Sequence, residues 1–445
     1  MHKQQGPRQE LVQSLVHRQN EAELRARLER LHPADVAYIL EALPLDERLA
    51  VWDLVKTERD GDILLQVSDS VRETLIASMD SQELVAATEQ LDADEIADLA
   101  PDLPQQVIDD VFRALPVEER EQLRAAMSYP EDSVGALMDF DMIDIREDVS
   151  LEVVLRYLRR LGELPDHTDK LFVLDRAQGF CGVLPIRQLL VTDPDVMVGH
   201  VMSRDVVRFD AAYPATEAAQ AFERYDLVTA PVLDAGGKLV GRVTVNAVVD
   251  FIRERNEEEH LKSAGLREDE DVFASVWKSA RNRWLWLAIN LFTAFLASRV
   301  IGAFEGTIAK FVALATLMPM VAGIAGNSGN QTTTLLIRSI ALGQAAATRH
   351  FITKELLVSC LNGLVWGGVA GLFAYALYGN VALGFVLLAA VFLNLLVGVA
   401  VGLLVPIAMV RLGRDPAMGS SVLLTFTTDS MGFFIFLGLA TWFLI

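Results

Sequence analysis

The chain has 445 residues, 52 % of them hydrophobic, yet 22 % are charged and the formal net charge is −21. Acidity on that scale excludes a chain built to grip nucleic acid or to dock on anionic lipid. Two cysteines, Cys181 and Cys360, are too few for a disulfide framework or a thiolate metal centre.

The length suits about three domains. Apolar character and charge are segregated along it: from Trp284 onward there are seven basic and four acidic side chains, whereas the first 283 residues hold 32 basic against 56 acidic ones. An acidic soluble half therefore precedes a nearly uncharged half of membrane character. The opening stretch MHKQQGPRQE has no apolar core, so no signal peptide is expected.

Residues 1–130 read as wholly helical: apolar residues recur at helical spacing and prolines at 33, 44, 101, 104 and 116 punctuate them. A faint repeat links LHPADVAYILEALP (31–44) with LDADEIADLAPDLP (91–104), and LPLDER (43–48) with LPVEER (115–120). Short helices repeating weakly predict a small helical superhelix. The densest acidic cluster here is Asp92, Asp94, Glu95, Asp98 and Asp102. It reads equally as a solvated helix face or as a cation-binding surface.

From 131 to 256 short strands alternate with helices in two copies. LFVLDRAQGFCGVLPIRQLL (171–190) aligns with APVLDAGGKLVGRVTVNAVV (230–249), each copy reading strand, helix, strand, glycine turn, strand, helix. This α+β arrangement resembles a tandem CBS pair, whose cleft often takes an adenine nucleotide. The nucleotide-binding pattern wants Ser or Thr after the last strand and Asp three residues on. Here the second copy has Thr244 with Ala247, and the first has Pro185 with Gln188. ATP is accordingly not expected as a ligand.

Residues 247–283 read as a long charged connecting helix, with Glu257, Glu258 and Glu259 together and Asp269, Glu270 and Asp271 beyond. Such runs are usually solvated faces, but a divalent ion would also relieve their mutual repulsion. The stretch turns basic at Lys278, Arg281 and Arg283 beside Trp277, Trp284 and Trp286, as at a cytoplasmic membrane interface.

Residues 284–445 contain five apolar segments, near 284–304, 308–326, 355–378, 381–410 and 418–445. Arg338, Arg349, His350 and Lys354 fill the second connection between them, and Arg411 and Arg414 the fourth. The positive-inside rule then predicts a cytoplasmic N-terminus and an outward C-terminus. The second segment runs LMPMVAGIAGNSGNQTTTLLIRS, with Pro319, Gly323, Gly326 and Gly329 expected to interrupt the helix and Asn327, Asn330 and Gln331 adding dipoles. Irregular backbone at membrane depth lines water-filled cavities; the alternative is a small-residue helix-packing face. Asp415-Pro416 suits a helix start. The helix that follows carries a single charge, Asp429, near mid-membrane, where a carboxylate costs about 2.5–3.5 kcal/mol to insert. Either a basic side chain pairs with it or it faces a cation pathway.

Pro-x-x-x-Gly-x-x-Gly-Asn-x-Gly-Asn-Gln from Pro319 to Gln331, followed by a last helix with a lone Asp, resembles the MgtE family of magnesium channels, and the domain order agrees over residues 30 to 445. The resemblance implies a homodimer with one pore on the two-fold axis, Asp429 of each subunit holding hydrated Mg²⁺, and Asn330 lining the pore nearby. It also implies closure by cytoplasmic Mg²⁺ at acidic positions matching Asp226, Asp250, Glu258 and Glu259, opposite Asp94, Glu95 and Asp98. Asn246 and Ala247 depart from acidic residues expected there, and Ser421 stands where an Asn is expected.

The chemistry agrees, because Mg²⁺ keeps several waters and binds through one or two carboxylates. The fold expected is multidomain: a helical superhelix, a CBS pair, a connecting helix and five transmembrane helices. The function expected is a Mg²⁺ channel of the inner membrane, driven by the electrochemical gradient, with membrane lipid around it and neither nucleic acid nor an obligatory protein partner. The rivals are an ion-coupled carrier of Co²⁺, Mn²⁺ or Ni²⁺ with Asp429 carrying a proton, and a membrane-anchored nucleotide sensor. No nucleophile–base pair points to an enzyme.

Overall fold

The computed structural model describes residues 21–55, 59–263, 265–266, 271–341, 349–413 and 420–445. The chain divides into two compact units, Met1–Asn256 with Asp271–Ala274, and Glu257–Glu270 with Ser275–Ile445. The Asp415-Pro416 helix start, together with Asp269 and Glu270, lies outside the described residues.

In the first unit, helices α1 (Glu21–Leu28), α2 (Pro33–Glu41), α3 (Leu45–Val55), α4 (Asp60–Gln66), α5 (Asp69–Ile76), α6 (Ser81–Thr88), α7 (Ala93–Leu99), α8 (Gln105–Ala114) and α9 (Val117–Ala126) follow one another closely. Their ends are set by local chemistry. Asp80 and Glu83 form a reciprocal capping box at the start of α6, and Glu95 accepts from the Asp92 backbone N–H before α7 at 3.0 Å. One core, with Trp52, Val36, Ile63 and Val107 fully enclosed, runs through them all.

Two buried arginines in this region are held in the same way. Arg48 on α3 donates from Nε to Leu40 O, and Arg72 on α5 donates from Nε to Leu64 O, both at 2.9 Å and both eight residues back. Arg72 is then balanced inside the helical region by Asp69 and Asp102. Arg48 is balanced by Asp271, 223 residues downstream, at 2.8 Å.

Two three-stranded sheets follow. In the first, β1 (Asp144–Arg146) pairs parallel with β2 (Lys170–Leu174), which pairs antiparallel with β3 (Phe180–Pro185). The second repeats this with β4 (Phe209–Asp210), β5 (Thr229–Leu233) and β6 (Leu239–Thr244), down to a register shift at the same place, Val173/Leu174 and Val232/Leu233. The tight turns match as well. Asp175 Oδ1 accepts from the N–H of Ala177 and Gly179, and Asp234 Oδ1 from those of Gly236 and Lys238. Helices α10 (Leu151–Leu161), α11 (Ile186–Val191) and α12 (Val198–Val201) accompany the first sheet, and α13 (Ala215–Tyr225) the second. Each copy has its own core. The copies interlock where Asp139 exchanges backbone hydrogen bonds with Arg242 and its carboxylate pairs with that guanidinium at 2.8 Å.

The expectation of one helix over 247–283 is corrected. Helix α14 runs Val245–Ser263 and ends there. Gly265 follows at φ +72, a left-handed conformation that glycine alone adopts freely, with its α-carbon packed so closely on the Trp286 ring that no side chain would fit. A new helix, α15 (Val276–Ala303), starts only after Ser275, whose hydroxyl caps it by accepting from Lys278 N.

The second unit contains α15, the short α16 (Glu305–Lys310), α17 (Ala313–Ala341), α18 (Arg349–Tyr378), α19 (Val381–Arg411) and α20 (Ser420–Leu444). Helix α19 is the hub, packed against α17, α18 and α20. Its buried stripe of Leu383, Leu387, Val391 and Leu395 joins Leu314, Val321 and Phe436 in one core. Among the described residues four helices are long and apolar enough to cross a membrane, namely α15, α18, α19 and α20. Five had been expected. Helix α17 has the length, but the polar run Asn327–Thr334 interrupts its apolar character.

Candidate functional site: an unpaired carboxylate on the last helix and an acidic surface in the soluble unit

Asp429 lies midway along α20 and is half-buried. Among the described residues no arginine or lysine pairs with it and no hydrogen bond reaches its carboxylate. Ser421 and Thr425 lie two turns and one turn before it on the same stripe of α20, with Thr425 exposed. Both Thr425 and Thr428 turn their hydroxyls back onto their own helix, to Ser421 O and Leu424 O, each at 2.9 Å.

The neighbouring α17 is one unbroken helix through Pro319, Gly323, Gly326 and Gly329, which corrects the expected interruption and the freed carbonyls it would supply. Proline near the start of a long helix removes a single hydrogen bond. Several of the glycines serve packing. A Cβ on Gly329 would lie 2.8 Å from Gly398 O, one on Gly398 2.5 Å from Ala325 O, and one on Gly402 2.6 Å from Gly329 O. Only bare backbone lets α17 and α19 approach that closely.

The opposite face of α17 is polar. Gly323, Asn327, Asn330, Gln331 and Thr334 are exposed at helical spacing, while Ala322, Ala325, Gly329, Thr332 and Thr333 are buried. The polar groups on offer are therefore side-chain amides. Helix α20 packs against α17 where Gly326 faces Thr428, the residue before Asp429, with room for a Cβ 3.5 Å from its hydroxyl.

Two residues here escape a reading by charge and periodicity. Asn394 on α19 is fully buried and donates to both Val321 O and Thr428 O. The only sequence signal is its four-residue spacing from Gly398 and Gly402. Glu355 on α18 is 6 % exposed and accepts from Thr332 Oγ1 at 3.1 Å.

In the soluble unit the structure gathers part of the expected acidic set. Asp94 and Glu95 open α7 and Asp98 lies one turn on. The loss of water around it, reinforced by Asp139, pushes the Asp94 carboxyl up to about 8, and its Oδ1 is buried without a partner. Asp98 is pushed up to about 7 by the same loss of water, with Arg72 opposing and Glu254, Glu95 and Asp250 adding to the rise. Glu95 and Glu254 are raised chiefly by burial as well.

Asp250 thus joins the patch as expected, and Asp139 and Glu254 join it unannounced. Asp226 does not figure among the charges acting on it: it is an exposed helix C-cap in the left-handed region at φ 50. Glu258 pairs with Lys262 at 3.1 Å on its own helix, and Glu259 follows it; both belong to the second unit. Asn246 meets His167 instead of an acid, at 2.7 Å. Among the described residues no three His, Cys, Asp or Glu converge as ready-made metal ligands.

Comparison with known proteins adds an independent line. A family model described as a divalent cation transporter, MgtE, matches residues 318–439; the MgtE intracellular N domain matches 31–132, and a CBS domain matches 198–254. The magnesium transporter MgtE of Bacillus subtilis is 27 % identical over 95 % of this chain and 94 % of its own length. That of Thermus thermophilus is 29 % identical over 94 % of each. Among solved structures, the cytosolic domain of the Mg²⁺ channel MgtE in complex with ATP is 28 % identical, covering 54 % of this chain and 98 % of that one, with a TM-score of 0.49.

Proposed function

This chain belongs to the MgtE family of divalent cation transporters, and from that we propose that it is a Mg²⁺ channel of the inner membrane, closed from the cytoplasm by the ion it carries. The observation that carries the reading is the Asp429 carboxylate, half-buried inside an apolar helix with no basic partner among the described residues. Such a group is retained against its insertion cost when it meets a cation. Mg²⁺ gives up water reluctantly and binds through few carboxylates. A homodimer supplies a second Asp429 across the axis, and the exposed amides of Asn327, Asn330 and Gln331 hydrogen-bond the water shell. Helix α17 is then the fifth span, its polar face turned to the pore. The basic residues Arg338, Lys354 and Arg411 favour a cytoplasmic N-terminus and an outward C-terminus.

Closure rests on the acidic surface formed by Asp94, Glu95, Asp98, Asp250 and Glu254. Burial is the main cause of their raised proton affinity and neighbouring acids add to it; a hydrated divalent ion relieves that added repulsion. Ala247 and Gln188 continue to speak against a bound adenosine, although a relative's cytosolic domain was solved with ATP; titration of ATP into the full-length protein decides it.

Asp429→Ala is expected to abolish growth rescue of a Mg²⁺-uptake-deficient host at limiting Mg²⁺, with the protein still present in the membrane. Undiminished rescue by that variant overturns the proposal.

A further inference from the structure

Asn394 is a costly residue to keep at the centre of α19. It is 0 % exposed in the most apolar of the long helices, and its Oδ1 has no partner, so stability alone would be served better by leucine. What the amide does is directional. Its two Nδ2 hydrogens go to two different helices, to Val321 O on α17 at 3.0 Å and to Thr428 O on α20 at 3.1 Å. Both acceptors are main-chain carbonyls, so the grip falls on the helices themselves. Gly432 leaves the notch the amide fills: a Cβ there would lie 2.5 Å from Nδ2. One turn further along α19, Gly398 closes on Ala325 O, so α17 and α19 cannot drift apart without breaking both contacts.

We infer that Asn394 is a positioning residue for Asp429: by holding the carbonyl of the preceding residue, Thr428, against α17 and α19, it sets the depth and rotation at which the Asp429 carboxylate meets the hydrated cation. The inference rests on the reading of Asp429 as the ion-binding carboxylate and adds which group fixes its place. A carboxylate that binds through water has no rigid coordination sphere of its own. Discrimination between Mg²⁺ and a larger, more readily dehydrated ion such as Ca²⁺ then depends on how firmly the surrounding helices hold it.

The test uses the full-length protein in proteoliposomes, reading flux against Mg²⁺ concentration and competition by Ca²⁺. Asn394→Leu keeps the volume and loses both donors; Gly432→Ala leaves Asn394 in the chain but pushes its amide out of the notch; Asn394→Ser keeps one donor. All three are expected to raise the half-saturating Mg²⁺ concentration, by about tenfold for Asn394→Leu and less for Asn394→Ser, and to weaken the preference for Mg²⁺ over Ca²⁺. The cytoplasmic Mg²⁺ concentration that closes the channel is expected to stay unchanged, which a general loss of structure would not allow. If Asn394→Leu does not assemble, Gly432→Ala carries the same reading. Wild-type half-saturation and selectivity in any assembled Asn394→Leu or Gly432→Ala protein overturns the inference. Asp429→Asn is run alongside: near-absent flux there with normal Asn394 variants sinks this inference alone, whereas normal flux in Asp429→Asn sinks the reading beneath it.

Discussion

Carboxylates in this chain are sorted by what surrounds them. Glu355 and Asp429 both belong to the long apolar helices, yet Glu355 is enclosed and takes a hydroxyl from Thr332, while Asp429 is left half-open with nothing among the described residues to neutralise it. Asp94 and Asp98 face the opposite problem, too many acids and too little water, and are pushed up to about 8 and about 7. Because the folded state holds these protons more tightly than the unfolded chain, the stability they contribute is full below the ordinary carboxylate range. It is lost as pH rises through about 7 to 8. In Mg²⁺-free buffer the thermal midpoint of the full-length protein should therefore fall between about pH 6 and about pH 8.5, added Mg²⁺ should restore it more at the higher pH, and Asp94→Asn should flatten the slope. A pH-independent midpoint, or a larger Mg²⁺ effect at the lower pH, contradicts this. Asp429 was legible in the sequence because a charge in an apolar span is conspicuous. Asn394 was not, since an uncharged amide barely changes hydropathy and its two acceptors are carbonyls from segments far away in sequence.

At the scale of elements, glycine and proline proved ambiguous signals. From Pro319 to Gly329 the composition suggests a broken helix, but α17 is continuous, and its glycines at 326 and 329 face α20 and α19 instead. Composition cannot separate the two outcomes, because the partner that makes a glycine useful is in another helix. The charged stretch after the CBS pair misled in the other direction: uniform polarity suggested one helix, and Gly265 and Ser275 divide it.

Between them the segment Asp271–Ala274 is tied to the helical region by Arg48. The corresponding Arg72 finds Asp69 and Asp102 close at hand, whereas the Arg48 guanidinium, fully buried, relies on Asp271. Asp271→Ala is expected to leave that charge uncompensated and cost about 3–5 kcal/mol of stability. Asp102→Ala should cost less because Asp69 remains. Denaturant unfolding of the full-length variants checks the order, and an Asp271→Ala protein as stable as wild type contradicts it.

Over the whole molecule, the division into an acidic soluble half and an apolar half was the most legible feature, since it needs only composition. The duplicated sheets were legible because both copies keep the same glycine turns and the same β-strand register. The make-up of the acidic surface was only partly so: Asp94, Glu95, Asp98 and Asp250 meet there, but Asp139 arrives because its backbone bridges to Arg242, and Glu254 because it lies one turn beyond Asp250. In the account proposed, acids in the soluble half sense the ion that a lone carboxylate in the membrane half conducts. The most direct test is Mg²⁺ flux into proteoliposomes holding equal amounts of wild-type protein or Asp429→Asn, with cytoplasmic-side Mg²⁺ kept low so that the channel is open. Flux is expected to fall by about tenfold or more in the variant, as loss of a charge-assisted contact implies, while its thermal midpoint is kept or raised. Equal flux through the two proteins would contradict the account.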